Sequence, residues 1–466
     1  MLPNDSRHDA DLADVVMTGG KVHTVDAADT LAESIAITGG RIARVGTEDE
    51  ISSLIGPGTR VIPLRGRSVL PGINDSHLHG VWLGQMWPSL LMDQLAAGHH
   101  DHGGGGGAPA RLDTREARRG AILRTAELLS SLGITSYTEP GLGPGEDEGP
   151  SGCFGSAALR DYADLAAEGR LNARVTALML FGELDGASSL SGVLDGLRDF
   201  VPPADVPGWF RVAGVKIFGD GIPPMRNAWM DEPYNDGTHG GLLVEGASEA
   251  EREANLIAMI EAAHAAGHQV AVHATGSRTT RTVTDAFRTA ASRDGRDARH
   301  YIIHGDVISS MTLATMAAAG IGLNTQVGIP VATEHMLLDA LGEDILPQTW
   351  PTRDALDIGV KLCLSSDAPV LTPDWRVGIA AAVTRRGLDG GVRGAAQRLA
   401  LTEALRAYTI TPAWQDGAES WKGSLEAGKV ADLCVLEADL LEIEADALPQ
   451  VPVSLTMVDG RIVHEL

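Results

Sequence analysis

The chain has 466 residues, 44% of them hydrophobic, which is enough for one large barrel and a smaller second domain. Its formal net charge of −25 argues against nucleic acids and anionic membranes as partners, because both require a basic surface. Three scattered cysteines show no pairing pattern, so we expect no disulfide framework and a reducing compartment.

The N-terminal part of the chain is typical of short strands. It starts without a basic and apolar leader, and the chain has no apolar run long enough to cross a bilayer, so we expect a cytoplasmic protein. Apolar and polar residues alternate on both sides of two glycine pairs, Gly19 with Gly20 and Gly39 with Gly40. This pattern predicts two β-hairpins, formed by residues 14–18 with 21–25 and by residues 34–37 with 41–45.

Two histidines, His77 and His79, follow the apolar residues Val69 and Leu70. Residues two apart in a β-strand point to the same face, so the two imidazoles are predicted to converge on one point. A metal ion would use such a pair, although a His-x-His pair alone is as often incidental. Residues downstream strengthen the prediction of a metal site, because a lysine, two more histidines and an aspartate follow short apolar runs there.

A low-complexity tract lies in the connection that follows, at residues 99–107. It contains His99, His100 and His102, followed by five glycines. A histidine-rich tract can bind metal. Five consecutive glycines are costly to order, so we favour a flexible loop with incidental histidines.

The middle of the chain alternates strand-like apolar runs with amphipathic helical patterns. One clear helix covers residues 253–264 and is stopped by Gly267. Seven strands are expected in addition to the one that carries His77, at residues 134–137, 174–180, 212–218, 269–273, 301–304, 321–324 and 360–365. Eight βα units predict an α/β protein with a (β/α)8 TIM barrel, in which the reacting groups lie at the carboxyl ends of the strands.

The C-terminal part of the chain returns to short strands, at residues 428–436 and 455–463. The two chain ends are therefore predicted to form one small composite β domain from residues 1–66 and 418–466. The barrel would then occupy residues 67–417.

The predicted strand ends carry side chains that suit divalent metal ions: His77, His79, Lys216, His273, His304 and Asp367. Imidazole nitrogen and carboxylate oxygen are common ligands of such ions, and a lysine carboxylated on Nζ can bridge two of them. Such a site would activate water, with Asp367 as general base and acid. Each residue alone is more often structural, but their occurrence in barrel order favours a site.

The sequence around these residues resembles the amidohydrolase superfamily, and most closely the type-3 amidohydrolases, the YtcJ-like group that includes N-substituted formamide deformylases. The resemblance covers nearly the whole chain and rests on residues 70–79, 214–221, 273–276, 303–304, 366–370 and 423–433. It implies a hydrolase that cleaves a C–N bond in an amide, cyclic amide or N-formyl group of a small molecule. It also implies that the four histidines and Asp367 are metal ligands and that Lys216 is a carboxylated bridge, and we expect two zinc ions. Nitrogen and oxygen ligands also suit iron, manganese and nickel, and a single-metal site with an unmodified lysine is the alternative. Barrels of this kind often form homodimers, but no surface patch in the sequence argues for one.

Two features depart from the family's pattern. Ser277 follows Gly276 where the family usually has an acidic residue, and the region from Gly80 to Gly133 is shorter than the usual insertion. We therefore expect a substrate that differs from those of the longer members.

Six side chains in the connections near the strand ends are predicted to bind the substrate: Trp82, Glu139, Arg226, Trp229, Tyr234 and Asn324. Arg226 could bind a substrate carboxylate through two hydrogen bonds, or it could pair with Asp231 or Glu232.

Three functions are compatible with the sequence. The first is hydrolysis of a C–N bond. The second uses the same metal site for isomerisation, deamination or C–C bond cleavage. The third is a non-catalytic scaffold, which is disfavoured because such relatives normally lose ligands and this chain keeps all six.

Overall fold

The structure is a computed structural model that describes residues 12–96 and 110–466. The histidine- and glycine-rich tract at residues 99–107 lies outside the described residues. The chain divides into two compact units. The first contains the chain up to Asn74, Leu128–Thr135 and Thr409–Leu466, and the second contains Asp75–Glu127 and Ser136–Tyr408.

The described residues form eighteen β-strands, which are β1 (Val15–Thr18), β2 (Lys21–His23), β3 (Leu31–Ala32), β4 (Ser34–Thr38), β5 (Arg41–Gly46), β6 (Arg60–Pro63), β7 (Ser68–Pro71), β8 (Ile73–Asp75), β9 (Ile134–Leu142), β10 (Arg174–Leu180), β11 (Phe210–Phe218), β12 (Gln269–Ala274), β13 (Tyr301–His304), β14 (Gly322–Thr325), β15 (Lys361–Leu364), β16 (Leu433–Leu436), β17 (Val453–Val458) and β18 (Arg461–Glu465).

They also form fifteen α-helices, which are α1 (Glu48–Ser52), α2 (Gly80–Met86), α3 (Leu91–Ala96), α4 (Arg115–Ser131), α5 (Ser156–Ala167), α6 (Leu190–Asp199), α7 (Glu249–Ala265), α8 (Ser277–Asp294), α9 (Ser310–Ala318), α10 (Ile329–Ala332), α11 (Glu334–Leu341), α12 (Thr352–Ile358), α13 (Trp375–Thr384), α14 (Leu401–Ala407) and α15 (Ile410–Gln415). The helix predicted over residues 253–264 lies within α7. Among the described residues, no helix combines the length and the apolarity that crossing a bilayer requires.

The first unit contains two β-sheets, with strand orders β5-β4-β1-β6 and β18-β17-β16-β7-β2-β3. In the second sheet β16 pairs antiparallel with β7, so strands from both chain ends share one sheet. The buried core of this unit is aliphatic and draws on both ends, with Met17, Ile35 and Val69 from the first and Leu433 and Met457 from the last.

One of the two predicted N-terminal hairpins is confirmed and the other is wrong. Strands β4 and β5 pair antiparallel around Gly39 and Gly40, whose φ angles of +57° and +74° suit a tight turn. By contrast, β1 pairs with β4 and β6, whereas β2 pairs with β3 and β7 in the other sheet. A Cβ on Gly20 would lie 2.5 Å from Leu64 Cδ1, so this glycine allows close packing rather than a hairpin.

The second unit is built on an eight-stranded sheet with the order β15-β14-β13-β12-β11-β10-β9-β8. The strand pairs from β9 to β15 are parallel, and helices connect successive strands. Hydrogen bonds also link its two edges: Ser76 Oγ donates to Leu364 O (3.2 Å), and Asp367 N donates to His77 O (2.9 Å). The predicted TIM barrel is therefore confirmed.

The first barrel strand differs from its prediction. Val69 and Leu70 belong to β7, and the barrel strand is the short β8, which ends at Asp75. His77 and His79 therefore follow the strand in an irregular loop, and the prediction that they alternate along a strand is wrong. A Cβ on Gly72 would lie 2.1 Å from Thr135 Oγ1, so only glycine fits where the chain passes from one sheet to the next.

Candidate metal centre

The loops after the first and last barrel strands bring His77 and His79 next to Asp367. Asp367 N donates to His77 O (2.9 Å), and His79 N donates to Ala368 O (2.8 Å). His77 Nε2 lies 3.2 Å and His79 Nε2 lies 3.5 Å from the same carboxylate atom, Asp367 Oδ1. Backbone hydrogen bonds between the two loops thus bring the imidazoles of His77 and His79 together, which strand alternation does not do.

Two further histidines reach the same place from neighbouring strands. His273 is next to last in β12, and His304 is the last residue of β13. Their ring centroids lie 4.4 Å apart, and the His304 ring lies 5.3 Å from that of His77. One ligand atom from each of His77, His304 and Asp367 lies within 4.8 Å of the others. This spacing suits a shared metal ion.

The backbone at two of these residues is strained. His304 has a φ of +72° and Asp367 has a φ of +58°. Non-glycine residues rarely adopt this left-handed region, and those that do are concentrated at functional sites.

Protein acceptors fix the protonation of His273 and His304. His273 Nε2 lies 3.0 Å from Gly221 O, and a carbonyl only accepts, so this nitrogen carries the proton. His304 Nδ1 lies 2.7 Å from Gln326 Oε1, and Gln326 Nε2 donates to Asn324 Oδ1 (3.2 Å), which sets the orientation of the glutamine amide. His273 Nδ1 and His304 Nε2 are then left with the lone pairs that a metal ion requires.

A buried carboxylate, Glu139, faces His79 from the other side. Glu139 Oε2 accepts from Gly80 N (2.6 Å) and from the Tyr162 hydroxyl (2.8 Å), while Oε1 lies 3.6 Å from His79 Nδ1. Among the described residues, Glu139 Oε1, His79 Nδ1 and His77 Nδ1 are buried without a hydrogen-bond partner. Unsatisfied polar atoms are rare in protein interiors, and their clustering here fits a site shaped for a cation.

The electrostatics of the site favour neutral imidazoles at His77 and His273 and a protonated imidazole at His79, beside an ionised Asp367. Burial lowers the pKa of His77 to about 4 and that of His273 to about 3. The nearby charge of Lys216 also lowers the pKa of His273. Burial would also lower the pKa of His79, but Asp367 and Glu139 raise it to about 9. Burial alone would raise the pKa of Asp367, but His77 and His79 hold it well below its usual range. The neutral histidines and the ionised aspartate are in the forms that bind metal ions, whereas His79 would release its proton on binding one.

Lys216 lies on β11 and is buried beside these residues. Burial lowers its pKa to about 8, although the carboxylates of Asp367 and Asp185 act in the opposite direction. Its Nζ atom lies 4.8 Å from the centre of the Phe218 ring. Among the described residues, no hydrogen-bond acceptor contacts Nζ, so the amine is available for modification.

All six predicted ligands line one cavity of about 430 Å³. The rest of its wall is mostly apolar and includes Trp82, Leu91, Met92, Leu184, Phe218, Ile222, Pro224, Met225, Leu243, Ile329 and Val370. An apolar cavity with a few convergent polar groups is typical of a small-molecule site.

Of the six residues predicted to bind substrate, Trp82 lines the cavity and the other five do not. Glu139 contacts His79 instead, as described above. Arg226 forms ion pairs with Asp339 and Asp236, and with neither of the partners suggested by the sequence.

The remaining three predicted residues are buried in the protein interior. Trp229 lies beneath the Arg278 guanidinium at 4.0 Å, and the Tyr234 hydroxyl donates to Ala228 O (2.9 Å). Asn324 Nδ2 donates to Ser76 O (2.9 Å). Asn324 therefore acts on the site through Ser76, which precedes His77, and through Gln326, which contacts His304.

Three carboxylates of the cavity wall were not predicted as site residues: Asp185, Asp220 and Asp306. Asp220 accepts from Thr275 N (3.0 Å) and Gly276 N (2.9 Å), and so holds the segment that follows His273. Asp185 and Asp220 come soon after a strand and precede a glycine, a pattern that marks them as candidates but does not show that they line the cavity.

Comparisons with known proteins show the family and the fold that the chain resembles. The model of the Amidohydrolase family matches residues 92–464. The N-substituted formamide deformylase of Arthrobacter pascens is 24% identical and aligns over 97% of this chain and 99% of its own length. A metal-dependent hydrolase from Pyrococcus horikoshii has a similar structure, with a TM-score of 0.71 and 21% identity over 93% of this chain and 99% of that one. The atrazine chlorohydrolase TrzN from Arthrobacter aurescens, solved with zinc, has a TM-score of 0.60 and 17% identity over 97% and 95%.

Proposed function

Because the chain belongs to the amidohydrolase family, we propose that it is a metal-dependent hydrolase that cleaves the C–N bond of an amide, a cyclic amide or an N-formyl compound. The observation that carries this proposal is the convergence of His77, His304 and Asp367 within 4.8 Å on the wall of a cavity. The activity of the Arthrobacter pascens relative makes N-substituted formamides the first compounds to test.

The four histidines and Asp367 would hold the metal, and zinc is the ion we expect. The low pKa values of His77 and His273 support this, because only neutral imidazole binds a metal ion. Lys216 would bridge two ions after reaction with carbon dioxide, in which its neutral amine forms an N–C bond and releases one proton. Its pKa of about 8 supports this step, because more of the amine is neutral near physiological pH than for an exposed lysine. A bound divalent ion polarises a carbonyl group and lowers the pKa of water.

Asp367 would transfer the proton in this reaction. It takes a proton from the attacking water and delivers it to the leaving nitrogen, so that a formamide and water yield an amine and formic acid. Its ionised state, its place on the cavity wall and its contacts with His77 and His79 support this role. Glu139 and Gln326 would position two of the ligands, as carboxylates and amides often do in metal sites.

The proposal is tested by turnover of a set of N-substituted formamides, with formate and amine measured together. We expect equal release of both products, loss of turnover after chelation and recovery with zinc. Asp367→Asn should lower kcat by roughly 10²- to 10⁴-fold, the usual contribution of a general base. The control Asp344→Asn, an exposed aspartate outside the cavity, should leave turnover unchanged.

Other outcomes would assign other chemistry. Release of ammonia in place of formate would indicate deamination, and a product without oxygen from labelled water would indicate isomerisation. Turnover that survives complete removal of metal would contradict the proposal. A protein that binds no metal and turns over none of the compounds would be a scaffold.

A further inference from the structure

Asp185 places an unpaired carboxylate on the wall of the cavity that holds the candidate metal ligands. It lies in the loop between β10 and α6 and has a φ of +53°, which non-glycine residues rarely adopt. Among the described residues, its side chain has neither a hydrogen bond nor an ion pair. Asp185 is exposed to solvent at the cavity wall, so its carboxylate is accessible to a ligand that enters the cavity.

The loop that carries Asp185 is anchored on both sides. Leu184 N donates to Glu146 Oε1 (2.6 Å) immediately before it. Beyond it, Ser188 Oγ donates to Phe218 O (2.9 Å) and accepts from Phe218 N (3.1 Å). These bonds hold the strained residue at a fixed place, as is usual for strain at functional sites.

Apart from the metal ions proposed for this site, the side chains around the cavity offer little to bind an anionic substrate. Among the described lining residues there is no arginine, and Lys216 is the only lysine. The sequence suggested Arg226 for a substrate carboxylate, but its guanidinium is paired with Asp339 outside the cavity. Lys216 attracts Asp185 electrostatically without forming an ion pair with it. A carboxylate brought close to Asp185 would be repelled.

We propose that Asp185 is a specificity residue that binds a cationic or N–H-donating group of the substrate. The substrate class is then a C–N compound with an apolar body and a basic nitrogen, rather than an acylated amino acid with a free carboxylate. The hydrolysis of that compound rests on the proposed function above, whereas its recognition by Asp185 does not.

The test measures binding of benzamidine and benzamide to the metal-loaded protein by calorimetry. The two probes have nearly the same shape, but only benzamidine is a cation, and its protonated amidine has no lone pair for a metal ion. The wild type should bind benzamidine more tightly by roughly tenfold to a hundredfold, the range of a charge-assisted hydrogen bond. Asp185→Asn should abolish most of this preference. Asparagine tolerates the left-handed backbone, so the fold should be kept.

Glu183→Gln is the matched control, because Glu183 carries the same charge on the same loop and does not line the cavity. This variant should keep the preference for benzamidine. Equal affinity for the two probes in the wild type, or a preference that survives in Asp185→Asn, would overturn the inference. A fall in bound metal in Asp185→Asn would also overturn it, because Asp185 would then serve the metal rather than the substrate. An Asp185-dependent preference without turnover of any formamide would support this inference and contradict the proposed function.

Discussion

Replacing Gln326 with leucine tests whether the amide beside His304 sets the affinity for metal. Gln326 Oε1 accepts from His304 Nδ1 at 2.7 Å, while its Nε2 donates to Asn324 Oδ1 (3.2 Å) and Ser365 Oγ (2.8 Å). Leucine removes the acceptor, so the His304 ring loses both its orientation and its fixed tautomer. Loss of such a partner typically weakens metal binding by about tenfold to a hundredfold, or about 1.4 to 2.8 kcal/mol. Competition with a zinc indicator measures this change as a ratio of Kd values.

Gln326→Glu is the informative control for this experiment. It keeps an acceptor for His304 Nδ1 but loses both donated bonds, to Asn324 and Ser365. Metal affinity should therefore be kept while the melting temperature falls. The reasoning is refuted if Gln326→Leu binds zinc as tightly as the wild type, or if both variants lose the same affinity.

Three further predictions concern the residues around the site and the barrel. Glu139→Gln should weaken zinc binding by about tenfold in the same competition assay, because His79 Nδ1 loses its charged neighbour; unchanged affinity would refute this. Asp220→Asn should lower the free energy of unfolding by about 3 kcal/mol in urea titrations. The amide NH2 of the asparagine would face backbone N–H groups that donate to the carboxylate in the wild type. A change within error would count against this role of Asp220. Burial lowers the pKa of His300 to about 3, so protons bind the unfolded chain preferentially and stability should fall as the pH drops below about 6.5. His300→Gln, which can retain both hydrogen bonds of this residue, should reduce the loss between pH 7 and pH 5 by about 2 kcal/mol, and identical pH profiles would contradict the assignment.

The barrel and the side chains around the candidate site could be predicted because the local pattern of apolar and polar residues indicates where the strands lie and where they end. Each barrel strand is a short apolar run, and parallel strands place the residues at their carboxyl ends together. His273, His304 and Asp367 were found in this way. The same reasoning failed for His77 and His79, because the chain changes sheets at Gly72, where close packing against Thr135 is a tertiary effect.

The substrate pocket was harder to predict, because distance from a strand end does not fix the direction of a side chain. Tyr234 lies in the connection after β11 and Asn324 lies within β14, yet both side chains turn into the interior and find hydrogen-bond partners there. Arg226 finds its partner in Asp339, which is far away in sequence. Asp185 was missed because neither its lack of a partner nor its place on the cavity wall can be read from local sequence.

The most direct test of a metal centre at the barrel mouth is the metal content per chain of protein purified without chelator. The wild type should contain about one or two divalent ions, and the double variant His77→Ala with Asp367→Ala should contain almost none while keeping its circular dichroism spectrum. A metal content of two ions per chain in the wild type, and of one or none in Lys216→Ala, would support the bridging role of the lysine. A wild type without metal, or a double variant that retains all of it, would contradict the account.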